Sequence, residues 1–157
     1  MGLAFDIEER NFPSYSAISI RTRDSLAAMG KMIGRLYGRA REAGRKSAGP
    51  VFCVYYEKPV DPQSVDYEMF LPLSGEADAA KGIAKIGGEN CVYLRVKGAY
   101  SQFESAYEAL SNFMTARKLE MIAPPREVYV RGPLFGFLTF FPIMVTDIYF
   151  PIAGASR

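Results

Sequence analysis

Residues 91–118 read CVYLRVKGAYSQFESAYEALSNFMTARK, and this stretch decides the fold. Its first part is rich in β-branched and aromatic residues, which favours a strand. Its second part carries apolar side chains at helical spacing: Phe103, Tyr107, Leu110 and Met114. Two short strand-like segments follow, PPREVYVRGP at 124–133 and VTDIYFPI at 145–152. The second half of the chain therefore reads strand, helix, strand, strand.

The first half of the chain shows the same order. Its segments are AISIRTRDSLAAMGKMIGRLYGRAREAG (17–44), GPVFCVYYEKP (49–59) and VDYEMFLPL (65–73). When Ile20 is aligned with Leu94, the apolar helix positions of the two halves coincide. This correspondence indicates an internal duplication. It predicts an α+β chain built from two strand-helix-strand-strand modules.

The segment between the two modules, PLSGEADAAKGIAKIGGEN at 72–90, contains no strong strand and is the expected linker. We therefore expect a single domain over residues 1–157. It would have a first half at about 4–73, a linker at about 74–90 and a second half at about 91–152.

Composition excludes several kinds of chemistry. The chain has 49% hydrophobic and 23% charged residues, which is typical of a globular protein, and its net charge of +2 predicts no polyanion partner. A basic stretch at 34–46 is interpreted as a solvated helix face, with a phosphate-binding surface as the alternative. The chain contains no histidine, which excludes Ser-His-Asp and Cys-His catalysis and any zinc site with a histidine ligand. No metal or other cofactor is expected.

The sequence also indicates where the protein resides. The N-terminal residues lack the basic-then-apolar pattern of a signal peptide, and Cys53 and Cys91 lie inside apolar runs as expected for buried free thiols. The uncharged run GPLFGFLTFFPIMVT at 132–146 is too short to span a bilayer and is broken by prolines. We therefore expect a cytoplasmic protein without a membrane span.

Strand side chains alternate between two faces of a sheet, so each strand has one set for the helix layer and one for the opposite side. The residues predicted on the helix side are Cys53, Tyr55, Met69, Leu71, Val128, Val130, Ile148 and Phe150. The aromatic and acidic residues predicted on the opposite side are Phe52, Tyr56, Glu68, Phe70, Glu127, Tyr129, Asp147 and Tyr149. Aromatic walls with a few carboxylates suit a flat, apolar, cationic ligand. The alternative is a second core with its acids at a wet edge.

Three motifs in the second half carry a family resemblance. They are YEAL at 107–110, PPREVY at 124–129 and TDIY at 146–149. In this combination the chain resembles, over nearly its whole length, the GyrI-like family. These are effector-binding domains of bacterial transcription activators and of multidrug-responsive regulators. The resemblance implies a pseudo-twofold antiparallel sheet with two main helices and a central cleft for apolar, often cationic, compounds.

The resemblance also implies roles for individual residues. A buried glutamate of the family corresponds to Glu127, and cleft-lining tyrosines correspond to Tyr129 and Tyr149. The duplication extends the predicted ligand-binding set to Phe52, Tyr56 and Phe70. No tryptophan is present, although some relatives have one at the cleft. Because no DNA-binding region accompanies the domain, we expect a stand-alone binder with no direct contact to DNA.

The apolar run at 132–146 joins the strand of Glu127 to the strand of Tyr149. It carries four phenylalanines, namely Phe135, Phe137, Phe140 and Phe141. We expect them to form either an apolar lid over a ligand, with Phe135 and Phe137 in contact with it, or the interface of a homodimer. A satellite core is a third alternative.

Three functions are compatible with these patterns. The first is a small-molecule binder of planar apolar cations, for sequestration or sensing. The second is a hydrolase that opens strained electrophilic natural products of the cyclopropanoid type, with Glu127 as catalytic general base. The third is a protein-interaction module of the gyrase-inhibitor kind.

Overall fold

A computed structural model describes residues 5–98, 100–131 and 144–154. Within these residues, the helices are α1 (Met29–Glu42) and α2 (Phe103–Ala116), each preceded by a short 3-10 turn. The strands are β1 (Glu8–Asn11), β2 (Tyr15–Asp24), β3 (Phe52–Tyr55), β4 (Val65–Leu73), β5 (Ala84–Ile86), β6 (Asn90–Lys97), β7 (Arg126–Arg131) and β8 (Val145–Pro151). The α+β class and the strand-helix-strand-strand order of both segments are confirmed. In the described part of the chain, no helix has the length and hydropathy needed to cross a bilayer.

One compact unit comprises residues 13–87. Its strands lie in the order β3-β4-β2-β5, with antiparallel pairing throughout. Cys53 is paired with Met69, and Phe52 is paired with Phe70, so these two pairs lie on opposite faces. On the face of Met69, Tyr67 donates a hydrogen bond to the carbonyl oxygen of Ser25, just ahead of α1, at 3.1 Å. The face assignment of the first half is therefore confirmed.

The second compact unit comprises residues 5–12 and the described residues from 88 onward. Its strand order is β1-β6-β8-β7, again with antiparallel pairing. The apolar stripe of α2 packs on β6 and β8. The buried cluster consists of Val92, Leu94, Val96, Ala106, Leu110, Met114, Ile148, Phe150 and Ile152. The predicted helix-side positions of Ile148 and Phe150 are thus confirmed.

Both helices end in the same way. After α1, Gly44 has φ +69°, and Arg45 N–H donates to the carbonyl oxygen of Ala40 at 2.9 Å. After α2, the left-handed position is occupied by Lys118 at φ 56°, and Leu119 N–H donates to the carbonyl oxygen of Met114 at 2.9 Å. This closure satisfies carbonyl groups that the helix leaves unpaired. It also places Leu119 against the core of α2.

The structure divides the chain differently from the expected halves at about 4–73 and 91–152. The expected linker contains β5, which extends the edge of β2 through the pairing of Ala84 with Ala17. Ala84 and Lys85 have little strand propensity of their own, and the open hydrogen-bonding edge of β2 supplies the partner. At the other end, β1 pairs with β6, so residues 5–12 group with the second half.

The face prediction for β7 is wrong. Glu127 is paired with Ile148, and paired residues share a face of the sheet, so the Glu127 side chain lies on the α2 side. Tyr129 follows it onto the same side, whereas Val128 lies on the opposite one. The prediction assumed that the valines must face the helix. Burial of Glu127 and Tyr129 on the helix side is tolerated because Tyr107 of α2 donates a hydrogen bond to Glu127.

A register irregularity accompanies this reversal. The pairing of β7 with β8 shifts between Tyr129 and Arg131, and Val130 between them is 40% exposed. A bulge of this kind removes a residue from the alternation of the strand. Val130 was predicted on the helix side, and the irregularity leaves it at the surface.

Removing the centre of the α2 core should destabilise the protein strongly. Leu110 is fully buried in the cluster beneath α2. We expect Leu110→Ala to lower the free energy of unfolding by about 2–5 kcal/mol through lost burial and an unfilled cavity. Urea unfolding followed by circular dichroism measures this change. The neighbouring exposed substitution Ser111→Ala is the control and should change the same quantity by no more than about 0.5 kcal/mol.

Candidate functional site

Glu127 is a buried carboxylate held by two phenols. Its side chain lies between β7 and α2, and the residue is 6% exposed. Tyr107 donates a hydrogen bond to Oε2, and Tyr129 donates to Oε1 at 3.1 Å. Both carboxylate oxygens thus accept a hydrogen bond, which offsets the cost of removing them from water. We call Glu127, Tyr107 and Tyr129 the carboxylate site.

Helix α2 positions Tyr107 in the carboxylate site. The residue lies one turn before Leu110, in the stripe that faces the sheet. Its ring also packs against Phe150 of β8, with ring centroids 5.6 Å apart and planes at 45°. The carboxylate therefore lies beside aromatic rings and next to the apolar core. Sequence reasoning placed Tyr107 in the core. The hydroxyl of Tyr107 is the feature of the sequence that indicates its additional role, because a buried tyrosine normally has a hydrogen-bond partner.

Asp147 and Tyr149 lie on the opposite face of β8 from the core residue Ile148. Asp147 accepts two hydrogen bonds from Arg95, at 2.7 and 2.9 Å, and one from the Tyr93 hydroxyl at 3.0 Å. Burial and this carboxylate raise the pKa of Tyr93 to about 12, and the hydrogen bonds to Asp147 raise the pKa of Arg95. Asp147 is therefore an ion-paired acid. Its predicted contact with a ligand stays a prediction.

Tyr149 belongs to an aromatic group on that same face. Its ring centroid lies 5.0 Å from that of Tyr93 and 4.8 Å from that of Phe12, edge-on to the latter. Burial raises its pKa above the usual tyrosine value. Because Arg126 is the residue paired with Tyr149, Glu127 projects to the other side of the sheet. Glu127 and Tyr149, predicted to share a site, are thus separated by the thickness of the sheet.

In the unit of residues 13–87, the predicted residues do come together. Phe52 and Phe70 stack in parallel, with centroids 4.8 Å apart and planes at 4°. Glu68 accepts hydrogen bonds from Ser19 Oγ at 2.6 Å and from the Tyr56 hydroxyl at 2.5 Å. Burial and the hydrogen bond to Glu68 raise the pKa of Tyr56 to about 12. These residues form a second carboxylate-phenol pair beside stacked rings.

The phenylalanines of the apolar run and the cavity found in the structure add little evidence for binding at the predicted residues. Phe135, Phe137, Phe140 and Phe141 lie outside the described residues. A cavity of about 400 Å³ lies at the β2–β5 edge, and residues 14–16, 75–76 and 85–87 are among those lining it. It contains none of the predicted ligand-binding residues. No group of three or more Cys, Asp or Glu within the described ranges is arranged to hold a metal ion.

The fold has known counterparts among solved structures. The crystal structure of the EcmrR C-terminal domain superimposes with a TM-score of 0.76 at 18% identity, over 98% of this chain and 100% of that one. In the EcmrR–DNA complex, this chain spans only 58% of the EcmrR chain; there the TM-score is 0.77 at 18% identity, over 96% of this chain. A hydrolase from Listeria innocua gives 0.69 at 13% identity, over 94% of this chain and 91% of that one.

A further counterpart is SAV2435 in complex with tetraphenylphosphonium. It gives a TM-score of 0.54 at 13% identity, over 97% of this chain and 95% of that one. At these identities the likeness concerns the fold alone. No curated protein matches the chain. The GyrI-like small molecule binding domain, as a family, matches residues 5–153, which is nearly the whole sequence. The chain therefore belongs to the family of GyrI-like small molecule binding domains.

Proposed function

We propose that this domain binds planar, apolar, often cationic compounds, for sequestration or sensing, and that Glu127 is the charge that selects them. The observation that carries the proposal is the carboxylate site: a buried acid with phenols on both oxygens, beside the rings of α2 and β8. A few convergent polar groups in an apolar setting are typical of small-molecule sites.

The physical basis is the low dielectric around Glu127. A carboxylate shielded from water interacts with a cation far more strongly than an exposed one does. An apolar ligand loses little on leaving water, and aromatic faces attract its positive charge. The phenols of Tyr107 and Tyr129 keep the carboxylate oriented, so less ordering is needed when the ligand binds. A neutral ligand of the same shape would gain only the contact with the rings.

The family and one fold relative support this reading. The family comprises small-molecule binding domains, and SAV2435 is described in complex with tetraphenylphosphonium, a lipophilic aromatic cation. That ligand has the positive charge and the aromatic rings on which the proposal rests, and its rings are arranged tetrahedrally around phosphorus. The other predicted contacts, namely Phe52, Tyr56, Glu68, Phe70, Phe135, Phe137, Asp147 and Tyr149, remain predictions.

Neutralising Glu127 should separate charged from neutral ligands. We expect Glu127→Gln to weaken binding of tetraphenylphosphonium at least about 30-fold, as for the loss of one partner of a buried charge pair. Binding of neutral triphenylphosphine oxide should change by about threefold or less, because the ring contacts are kept. Isothermal titration calorimetry with both compounds measures the two affinities.

The matched control is Glu108→Gln, which removes an exposed carboxylate from the same helix that carries Tyr107. It should leave both affinities unchanged. Equal losses for the cation and the neutral compound in a folded Glu127→Gln protein would contradict the role of charge. The unfolding midpoint of each variant shows whether the fold is intact.

The phenol of Tyr107 should contribute separately from its ring. Tyr107→Phe keeps the packing against Phe150 and removes the hydrogen bond to Glu127. We expect tetraphenylphosphonium to bind about two- to tenfold more weakly, in line with ~0.5–1.5 kcal/mol for one hydrogen bond. Tyr37→Phe, at an exposed position of α1, is the control. An unchanged affinity in Tyr107→Phe would mean that this phenol does not position the carboxylate.

Hydrolysis is the second candidate, and the same carboxylate favours it. A glutamate aligned by two phenols and partly removed from water can act as general base toward a water molecule. One fold relative is described as a hydrolase from Listeria innocua. Glu127 would take a proton from water while the water oxygen forms a bond to a cyclopropane carbon. The ring C–C bond at that carbon breaks, its electron pair passes to the conjugated carbonyl group that makes the ring electrophilic, and that group takes up the proton from Glu127.

Incubation with electrophilic cyclopropane compounds distinguishes the two functions. A hydrolase should consume them faster than buffer does, and Glu127→Gln should reduce this rate at least about 100-fold, as for loss of a general base. Liquid chromatography with mass detection follows substrate loss and addition of water. If the wild-type protein shows no turnover above buffer, hydrolysis of this compound class is ruled out and binding stands alone.

A further inference from the structure

The cavity at the β2–β5 edge, of about 400 Å³, lies within the unit of residues 13–87. It forms where two strands that flank β2 end at different points. The pairing of β2 with β4 stops at Ser16 and Leu73, whereas the pairing of β2 with β5 continues to Tyr15 and Ile86. The chain after β4 leaves the sheet there, and the cavity opens at this divergence.

Hydrogen bonds fix the wall of the cavity that follows β4. Ser74 N–H donates to the carbonyl oxygen of Lys46 at 2.8 Å, and Arg45 Nη1 donates to the carbonyl oxygens of Ser74 and Glu76 at 2.9 and 2.8 Å. Gly75 has φ +85°, and a Cβ atom at this position would lie 2.6 Å from Arg45 Nη1. The backbone on this side of the cavity is therefore preformed, which reduces the ordering that a ligand would require.

Part of the cavity lining is apolar and accessible. Leu73 is buried, whereas Tyr15 and Ile86 are only half-buried and Ala48 is exposed. The ring of Tyr15 packs against that of Phe52, with centroids 6.5 Å apart and planes at 30°, which holds it in one orientation. A ligand can therefore enter past Ala48 and place an apolar group against Tyr15 and Ile86.

Two side chains of opposite charge line the same cavity. Glu76 follows the turn at Gly75, and Lys85 is the central residue of β5, where it is paired with Ser16. Both residues are exposed. In the part of the chain that the structure describes, neither side chain forms an ion pair, with the other or with a third residue. Their charges thus flank the cavity without neutralising each other.

This arrangement favours a ligand that carries both charges. A simple carboxylate would be attracted by Lys85 and repelled by Glu76, and a simple amine would meet the reverse. A zwitterion can place opposite charge at both side chains, which is the electrostatic complementarity that gives specificity. The volume of about 400 Å³ lies within the range of about 300–1,000 Å³ that is usual for small-molecule sites.

We propose that the cavity at the β2–β5 edge is a second binding site, for zwitterionic amino acids with an apolar or aromatic side chain. The ligand carboxylate lies toward Lys85, its ammonium group toward Glu76, and its side chain against the apolar lining. The site is independent of the carboxylate site, because its lining belongs entirely to residues 13–87 and Glu127 belongs to the other compact unit.

The test compares L-phenylalanine with two probes that each lack one of its charges, 3-phenylpropionate and 2-phenylethylamine. Wild-type protein should bind L-phenylalanine about fivefold or more tightly than either probe, as for one added charge pair at a partly exposed site. Titrations followed by ¹H–¹⁵N NMR measure the three affinities. The amide signals that shift should be those of residues 14–16, 73–76 and 85–87, which line or adjoin the cavity.

Two substitutions at exposed positions separate the two charges. Glu76→Gln should remove the preference of the protein for L-phenylalanine over 3-phenylpropionate and keep its preference over 2-phenylethylamine. Lys85→Gln should have the opposite effect, because it removes the partner of the carboxylate. Ala48→Trp places a large side chain at the exposed side of the cavity and should abolish binding of all three compounds.

Matched controls remove the same charges elsewhere. Glu42→Gln and Lys31→Gln, at exposed positions of α1, should retain both preferences, and so should Glu127→Gln in the carboxylate site. Equal affinity of the wild-type protein for the three compounds would overturn the proposal, as would a failure to bind L-phenylalanine. Preferences that persist in both Glu76→Gln and Lys85→Gln would also overturn it. Loss of both preferences in Glu127→Gln would show that the amino acid binds at the carboxylate site instead.

Discussion

The hydrogen bond from Tyr107 to Glu127 joins α2 to β7 and determines how the second unit is organised. A carboxylate on the helix side of a sheet would be costly without a donor, and α2 brings that donor on the same stripe that carries Leu110 and Met114. The apolar core of α2 and the polar contact to β7 therefore depend on one helix orientation. A rotation of α2 that displaced Tyr107 would also withdraw the core residues.

The two faces of the β6–β8–β7 sheet neutralise their acids by different means. On the face opposite α2, Asp147 forms an ion pair with Arg95, and Glu89 forms an ion pair with Arg126. On the helix face, the oxygens of Glu127 accept hydrogen bonds from phenols, which carry no formal charge. An ion-paired acid contributes to structure and is little available to a ligand. The proposed function rests on Glu127 because its hydrogen-bond partners carry no positive charge that would compete with a cationic ligand.

The sequence predicted much of this architecture and one of its errors is instructive. Helical spacing and strand alternation identified both helices and the order of the strands around them, because each signal is local and depends on burying one face. The same alternation failed in β7, where Val128 and Val130 were assigned to the helix side. Alternation separates two sets of side chains but does not say which set faces inward. The two valines favour the helix side because they are apolar. The hydroxyl of Tyr107 allows Glu127 and Tyr129 to occupy that side instead, because it donates a hydrogen bond to Glu127.

The sequence by itself determined the α+β class and the two strand-helix-strand-strand segments, since these follow from periodicity. Its motifs carried the family resemblance, and that resemblance made Glu127 a candidate. Only the tertiary structure decided that β1 and β5 complete the edges of β6 and β2, that Glu127 meets Tyr107, and that Tyr149 and Asp147 lie across the sheet from it. The reason is that strand pairing and helix docking join residues far apart in the chain. Which face becomes the interior depends on whether each buried polar group finds its partner there.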